Sequence, residues 1–284
     1  MIRLDAATVL LQWAAGGLAF LWVTSRRRLL GIGYGWLLRG TYLVLAIGGV
    51  AAGRSTGHPS LTRDIGGSLM AVAVVVALVV SVIRRRAGVS GGLEIEERRS
   101  ARVAGMTGID RDTKVRDMTG PEFPPILDLI PPLIGAVALV AAALSDGGPA
   151  PLAIVRTLVG AAFLGAVTDA MLLGHWYLVQ PGLGRGPLDE LTTWVGWIWP
   201  FEVAAFLWPT GMVSVLDGSI DDGYLGILGY FWVACVVTTI VLVFVTRAAL
   251  KEKAYSAVMA ATGLLYLAIL TAFGTDLVAR AVLA

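Results

Sequence analysis

The chain has 284 residues, of which 57% are hydrophobic and only 15% are charged, and its mean hydropathy is +0.78. Soluble domains are nearer half apolar and a quarter charged, so this composition excludes an ordinary soluble protein and predicts an all-α, polytopic integral membrane protein. The net charge of +2 gives no indication of a nucleic-acid partner. The single cysteine, Cys235, cannot form an intrachain disulfide.

Eight apolar segments of about 20 residues, the length needed to cross a bilayer, follow one another along the chain. They occupy residues 7–24, 32–52, 65–83, 126–144, 152–180, 191–208, 224–245 and 254–277. A basic cluster follows the first segment, which is the wrong order for a cleaved signal peptide. We therefore expect that segment to be retained as a helix.

The distribution of lysine and arginine predicts the orientation, because cytoplasmic connections are enriched in these residues. Sixteen of the 22 basic residues lie on connections that follow odd-numbered segments, and four lie on the opposite side. The remaining two, Arg39 and Arg156, lie within segments. We expect eight transmembrane helices in a bacterial cytoplasmic (inner) membrane, with both termini on the outer, periplasmic or extracellular, side.

The one sizeable extramembrane piece is the connection of residues 84–125, which separates helices 1–3 (residues 1–83) from helices 4–8 (126–284) of a single membrane domain. Its nine basic and seven acidic residues nearly balance, which is typical of a solvated linker. The alternative is a docking surface for a cytoplasmic protein subunit or for anionic lipid headgroups. Residues 94–104 have the composition of a short helix on the membrane surface.

Segment 152–180 carries an unusual set of polar side chains. Asp169, Trp176 and Gln180 are spaced i, i+7 and i+11, so they share one helix face. Thr168 and His175 share a second face, about 120° away. Ionisable groups in hydrocarbon usually face a bundle interior, a cavity or a partner.

A helix with two polar faces cannot present both to lipid, so segment 152–180 is expected to lie centrally in the bundle. Ala161 and Gly165 would form a small-residue contact with a neighbouring helix. In the predicted orientation Asp169 is near mid-membrane, and His175 is in the inner half.

Two other segments contribute deep charged residues. Arg39 lies about two turns into segment 32–52 from the inner side, at a depth that allows an ion pair with Asp169 or a site near His175. Glu202 shares a face with Trp199 and follows Pro200, which removes a backbone hydrogen bond.

Each of these residues also has a purely structural interpretation. An Arg39–Asp169 pair would order helix packing, and an isolated Glu202 would hold a proton because burial disfavours its charged form. His175, Trp176 and Tyr177 would form part of an interfacial aromatic belt.

The scarcity of histidine excludes several kinds of site. A bis-histidine haem needs two facing histidines, but His58 and His175, the only two, are predicted on opposite sides of the membrane. Haem-copper and zinc sites lack ligands for the same reason. The chain also contains no phosphate-binding loop and no dinucleotide fingerprint. We therefore expect no metal and no haem.

The polar and aromatic residues of the apolar segments are suited to binding a quinone or menaquinone, since such a site needs an aromatic-lined apolar pocket and groups that exchange protons. Asp169, His175 and Glu202 would exchange protons, and the binding residues would be Arg39, Trp176, Tyr177, Gln180 and Trp199. In helix count and polar inventory the chain is similar in outline to haem-free, eight-helix quinol-interacting subunits of bacterial oxidoreductases. The chain is accordingly predicted to be a subunit of a respiratory or redox complex, with lipids and other protein subunits as partners.

Three alternatives remain open from the sequence. A proton- or ion-coupled secondary transporter would use Asp169 and Glu202 for coupling, with Pro200 marking a broken helix, although the chain shows no clear internal repeat. A lipid-headgroup enzyme would bind phosphate through Arg39. A non-catalytic structural or assembly subunit would use its buried polar residues only for packing.

Overall fold

The computed structural model describes residues 5–55, 60–85, 92–108, 120–145, 149–180 and 182–283. Over these ranges the fold is all-helical. The helices are, in chain order, α1 (Ala6–Ser25), α2 (Ile32–Ser55), α3 (Leu61–Ile83), α4 (Gly92–Thr107), α5 (Ile126–Ser145), α6 (Ala150–Val179), α7 (Gly186–Leu207), α8 (Gly211–Leu216), α9 (Ile227–Lys251) and α10 (Tyr255–Val282).

Seven helices in the described part of the chain are long and apolar enough to cross a membrane, namely α1, α2, α3, α5, α6, α9 and α10. Such a set supports a polytopic membrane protein, because helices satisfy all of their backbone polar groups internally in hydrocarbon. Each of the eight predicted segments corresponds to a long helix. Helix α7, which corresponds to the sixth predicted segment, has 22 residues but begins with the polar run Gly-Pro-Leu-Asp-Glu, and it is not among the seven.

The helix boundaries differ from the apolar segments mainly where charged residues continue a helix. Helix α9 runs to Lys251 rather than 245, and α10 runs to Val282 rather than 277, because backbone hydrogen bonding does not stop where the apolar run stops. The short helix expected at 94–104 is present as the longer α4. His58 and residues 86–91 and 109–119 of the 84–125 connection lie outside the described residues.

Successive long helices run antiparallel, so the bundle has two ends. At the first, called here the terminal end, Arg63 at the start of α3 bonds Asp5 just before α1, and α10 ends beside the start of α6. At the second, called here the loop end, Arg26 after α1 pairs with Glu190 in α7 at 2.7 Å. Both described chain ends therefore lie at the terminal end.

Helix α6 lies at the centre of the bundle, as its two polar faces predict. It packs against α1, α5, α7 and α10. The contact with α1 is the closest, because a Cβ on Gly16 would lie 1.7 Å from the carbonyl oxygen of Ala161, and one on Gly165 would lie 2.1 Å from the Gly16 carbonyl carbon. The predicted small-residue contact of Ala161 and Gly165 is confirmed, and its partner is Gly16.

We expect Gly16→Ala to lower the free energy of unfolding by about 3 kcal/mol, because the added methyl forces two packed backbones apart. Thermal unfolding in detergent, followed by tryptophan fluorescence, measures this change. The control is Gly40→Ala in α2, where a Cβ would meet nothing within 4 Å. Equal stability of the two variants would contradict the proposed role of the α1–α6 contact.

Candidate functional site

Asp169, near the middle of α6, points towards α2. Its side chain is fully buried, and the Tyr42 hydroxyl donates a hydrogen bond to its Oδ1. The other carboxylate oxygen, Oδ2, has no hydrogen-bond partner among the described residues. A buried carboxylate oxygen without a donor is costly, so Asp169 has capacity for a further proton or ligand.

A second tyrosine of α2 lies beside this carboxylate. Tyr34 is 1% exposed, and its hydroxyl faces the Thr24 side chain of α1 and the Asp169 carboxylate without a well-formed hydrogen bond to either. Its ring lies 6.0 Å from the Trp176 ring, tilted by 58°. A buried phenol and a buried carboxylate oxygen that lacks a donor therefore both lie between α2 and α6.

Trp176 and Gln180 extend the same face of α6 towards the loop end. The Trp176 indole donates to Oε1 of Gln180 at 3.1 Å. Two glycines at the start of α2 admit them, since a Cβ on Gly33 would lie 3.2 Å from the Trp176 ring and one on Gly31 would lie 3.5 Å from the Gln180 amide oxygen.

Asp169, Trp176 and Gln180 thus share one face, as their spacing predicts, and that face meets α2 through long side chains. We call the set Tyr34, Tyr42, Asp169, Trp176 and Gln180 the α2–α6 cluster.

The second polar face of α6 meets different helices. Thr168 accepts a hydrogen bond from the Trp13 indole of α1 at 2.8 Å. His175 is exposed at the bundle surface, and its Nδ1 lies 3.1 Å from the Tyr266 hydroxyl of α10. His175 is therefore not brought together with Asp169.

Arg39 does not pair with Asp169, so that expectation is wrong. Its guanidinium binds the Asp128 carboxylate of α5 through two hydrogen bonds of 2.8 Å, and the two side chains are 3% and 1% exposed. The Ser25 hydroxyl also donates to Asp128, at 2.8 Å.

Lateral position, and not depth, decides the choice of partner. Asp128, in the first turn of α5, is the acid that the Arg39 guanidinium reaches, whereas the residue of α2 that reaches Asp169 is Tyr42, about one turn further along the helix. The bidentate geometry also favours the Arg39–Asp128 pair. Asp128 is the only acid in the apolar segment 126–144, which is the signal that could have identified it.

Glu202 belongs to a separate group near the terminal end. It is fully buried, and its carboxyl group faces the Asp276 carboxyl group without a well-formed hydrogen bond to either Glu202 oxygen. Asp276 and Arg280 of α10 are its electrostatic neighbours, and Arg280 donates to Asp276 at 2.8 Å. We call Glu202, Asp276 and Arg280 the carboxyl cluster.

Two members of the carboxyl cluster, Asp276 and Arg280, were not predicted from the sequence. The last apolar segment was expected to end at 277, with Arg280 on the outer side, but Arg280 is fully buried. The i, i+4 spacing of Asp276 and Arg280 is typical of an ion pair along a helix and could have indicated their partnership.

The remaining predicted ligand-binding residues make packing contacts. The Tyr177 hydroxyl donates to the Gly184 carbonyl and so fixes the α6–α7 connection. The Trp199 indole donates to the Val236 carbonyl of α9 at 3.0 Å. Neither residue reaches the α2–α6 cluster through these bonds.

Comparison with family models, with curated proteins and with solved structures finds no match for this chain. Within the described ranges, no three histidine, cysteine, aspartate or glutamate side chains are grouped so that they could hold a metal ion.

A double-mutant cycle tests the Arg39–Asp128 pair. Asp128→Asn and Arg39→Gln should each lower the free energy of unfolding by about 3–5 kcal/mol, because each leaves a buried charge without its partner. The double variant should lose less than the sum, by more than about 1 kcal/mol. Chemical unfolding in mixed micelles supplies the values.

The matched control for this cycle is Glu190→Gln, which breaks a more exposed arginine pair at the same end of the bundle. Its effect should stay below about 1 kcal/mol. Additive effects of the Arg39 and Asp128 substitutions would show that the two side chains are not coupled.

Proposed function

We propose that the chain is an integral membrane subunit or accessory of a respiratory or redox complex, and that it binds a quinone or a similar lipid at the α2–α6 cluster without haem. The observation that carries the proposal is the buried Oδ2 of Asp169, which has no hydrogen-bond partner in the described structure, with the buried Tyr34 hydroxyl, a neighbour of Thr24, facing the same carboxylate. Buried polar groups are usually satisfied, so this pair is a natural place for a ligand with polar ends.

The chemistry of a quinone matches these groups. A quinone carbonyl accepts a hydrogen bond, which the Tyr34 phenol can donate, and the Trp176 ring offers an aromatic surface for the quinone ring. Reduction of a quinone to a quinol takes up two electrons and two protons. Asp169 in its acid form would supply one proton and, after it is protonated again from the loop end, the second, and a redox partner subunit would supply the two electrons.

The arrangement of the bundle is compatible with a bacterial inner membrane. We propose that α7, which runs antiparallel to α6 and α9, also crosses the membrane, which brings the number of crossings to eight. Both termini would then lie outside and the basic loop end inside, in keeping with the distribution of arginine and lysine. Tyr34, Trp176 and Gln180 lie near the loop end, so the quinone would bind in the inner half of the membrane.

Quinone photolabelling tests this site. The purified chain in nanodiscs is titrated with an azido-quinone, and the labelled peptides are identified by mass spectrometry. Label is expected on α2 and α6. Tyr34→Phe and Asp169→Asn should each weaken binding about five- to ten-fold, as expected for the loss of one buried hydrogen bond.

The matched control is Tyr266→Phe, which removes a phenol hydroxyl from the opposite side of α6, next to His175. It should leave quinone binding unchanged. Weaker binding in Tyr266→Phe or His175→Ala, with label on α10, would place the site at His175 and contradict the α2–α6 site.

A proton- or ion-coupled transporter is the second candidate, and the carboxyl cluster favours it. Glu202 lies beside the Asp276 carboxyl group and the Arg280 guanidinium, and two facing carboxyl groups can share one proton. Such a group can gain or lose a proton in response to movement of its neighbours. Intramembrane carboxylates of this kind are common in proton relays.

Proteoliposomes distinguish the two candidates. The proteoliposomes are supplied with a mixture of metabolites, and a transporter should take up one of these solutes together with protons. Glu202→Gln should abolish this coupling, and Glu190→Gln should preserve it. A quinone-binding subunit should show no such flux. Absence of both quinone binding and flux would support the third alternative, a structural or assembly subunit.

A further inference from the structure

A cavity of about 500 Å³ opens at the loop end of the bundle, away from the α2–α6 cluster and the carboxyl cluster. It lies between α4, the α6–α7 connection and the α9–α10 connection. Its lining consists of Arg102, Tyr177, Gly182, Leu183, Arg185, Leu250, Lys251, Lys253, Tyr255 and Val258. We call it the basic cavity.

The lining of the basic cavity is charged with one sign only. It holds four cationic side chains and no acidic one. The guanidinium of Arg185 is held by the protein itself, since it donates to main-chain carbonyls at the end of α9 and in the α9–α10 connection. Arg102 donates its Nε to the Arg98 carbonyl of its own helix at 3.3 Å. Its terminal guanidinium nitrogens, with the ammonium groups of Lys251 and Lys253, remain to face an anion.

Helix α4 is held where Arg102 can line the cavity. Gly182, in the α6–α7 connection, has a φ of +87°, and a Cβ there would lie 2.8 Å from the Val103 side chain and 3.3 Å from the Arg99 carbonyl. The α6–α7 connection thus packs directly on α4. Arg102 therefore comes from α4, in the connection between α3 and α5, and not from one of the long helices of the bundle.

The rest of the lining is apolar and leads towards the lipid. Leu183, Leu250 and Val258 form that part of the cavity wall. At the same end of the bundle, Val179 at the end of α6 and Met259 near the start of α10 are 62% and 53% exposed. A ligand with a phosphate at one end and acyl chains at the other matches this pattern.

We propose that the basic cavity binds the headgroup of an anionic phospholipid, with its phosphate held by Arg102, Lys251 and Lys253 and its acyl chains lying over the surface of α6 and α10. Basic pockets between transmembrane helices on the cytoplasmic side are suited to such headgroups. A soluble phosphate compound shares the phosphate chemistry but lacks acyl chains for the apolar wall. The proposal does not depend on quinone binding, because the two sites share no residue.

Native mass spectrometry of the full chain in a mild detergent tests the proposal. The protein is titrated with phosphatidylglycerol and with phosphatidylcholine of the same acyl chains. One phosphatidylglycerol should be retained in preference to phosphatidylcholine. Lys251→Gln/Lys253→Gln should weaken phosphatidylglycerol binding about ten-fold or more, and Arg102→Gln about five-fold, with phosphatidylcholine binding unchanged.

The matched control is Arg27→Gln/Arg85→Gln, which also removes two positive charges at the loop end but none from the cavity. It should change phosphatidylglycerol binding by less than about two-fold, because exposed charges contribute little individually. An effect as large as that of the lysine variant would show that the lipid responds to general surface charge and not to the cavity, and it would overturn the proposal. Equal retention of the two lipids would overturn it as well.

Excess inorganic phosphate distinguishes the two sources of the phosphate group. The lipid should stay bound, because free phosphate makes no contact with the apolar wall. Displacement of phosphatidylglycerol by inorganic phosphate would identify a soluble phosphate as the ligand and would overturn the lipid assignment.

Discussion

The rest of the bundle depends on the close approach of α1 and α6. At Gly16, Ala161 and Gly165 the two backbones touch with no room for a side chain. This contact places α6 in the interior, where α5, α7 and α10 cover its other sides. Because α1 occupies the space nearest to α6, α2 reaches it only through long side chains. The gap between α2 and α6 is filled by tyrosine, tryptophan and aspartate, and this is where the candidate site lies.

Buried charges in this bundle fall into two groups, and the difference indicates where function resides. Arg39 and Asp128 satisfy each other with two short hydrogen bonds, and such a pair orders helices without requiring a ligand. Asp169 instead retains a carboxylate oxygen that has no partner in the described structure, and the Glu202 carboxyl group faces another carboxyl group, that of Asp276. Desolvating a carboxylate without compensation is expensive. A protein keeps such a group when a proton, a ligand or a moving neighbour completes it.

Periodicity was enough to predict the helices and the shared face of Asp169, Trp176 and Gln180, because helix geometry alone determines which residues project together. It could not identify the helix opposite that face. Arg39 was paired with the wrong acid because depth along one helix says nothing about which neighbour stands beside it. Arg280 was assigned to the outer side because the apolar run was ended at residue 277, whereas the helix continues to Val282. Asp276, at the end of that run, was therefore not linked to Arg280.

The depths of the two incompletely satisfied carboxylates favour a one-sided role for each. Asp169 lies about 15 Å from the loop end of α6 and about 28 Å from its start, by the rise per residue. Glu202 lies five residues, or about 8 Å, from the terminal end of α7. Asp169 is therefore nearer to the loop end of its helix, and Glu202 is nearer to the terminal end of its own. An alternating-access transporter needs a coupling site that opens to both sides, whereas the proposed quinone site would need proton exchange with one side only.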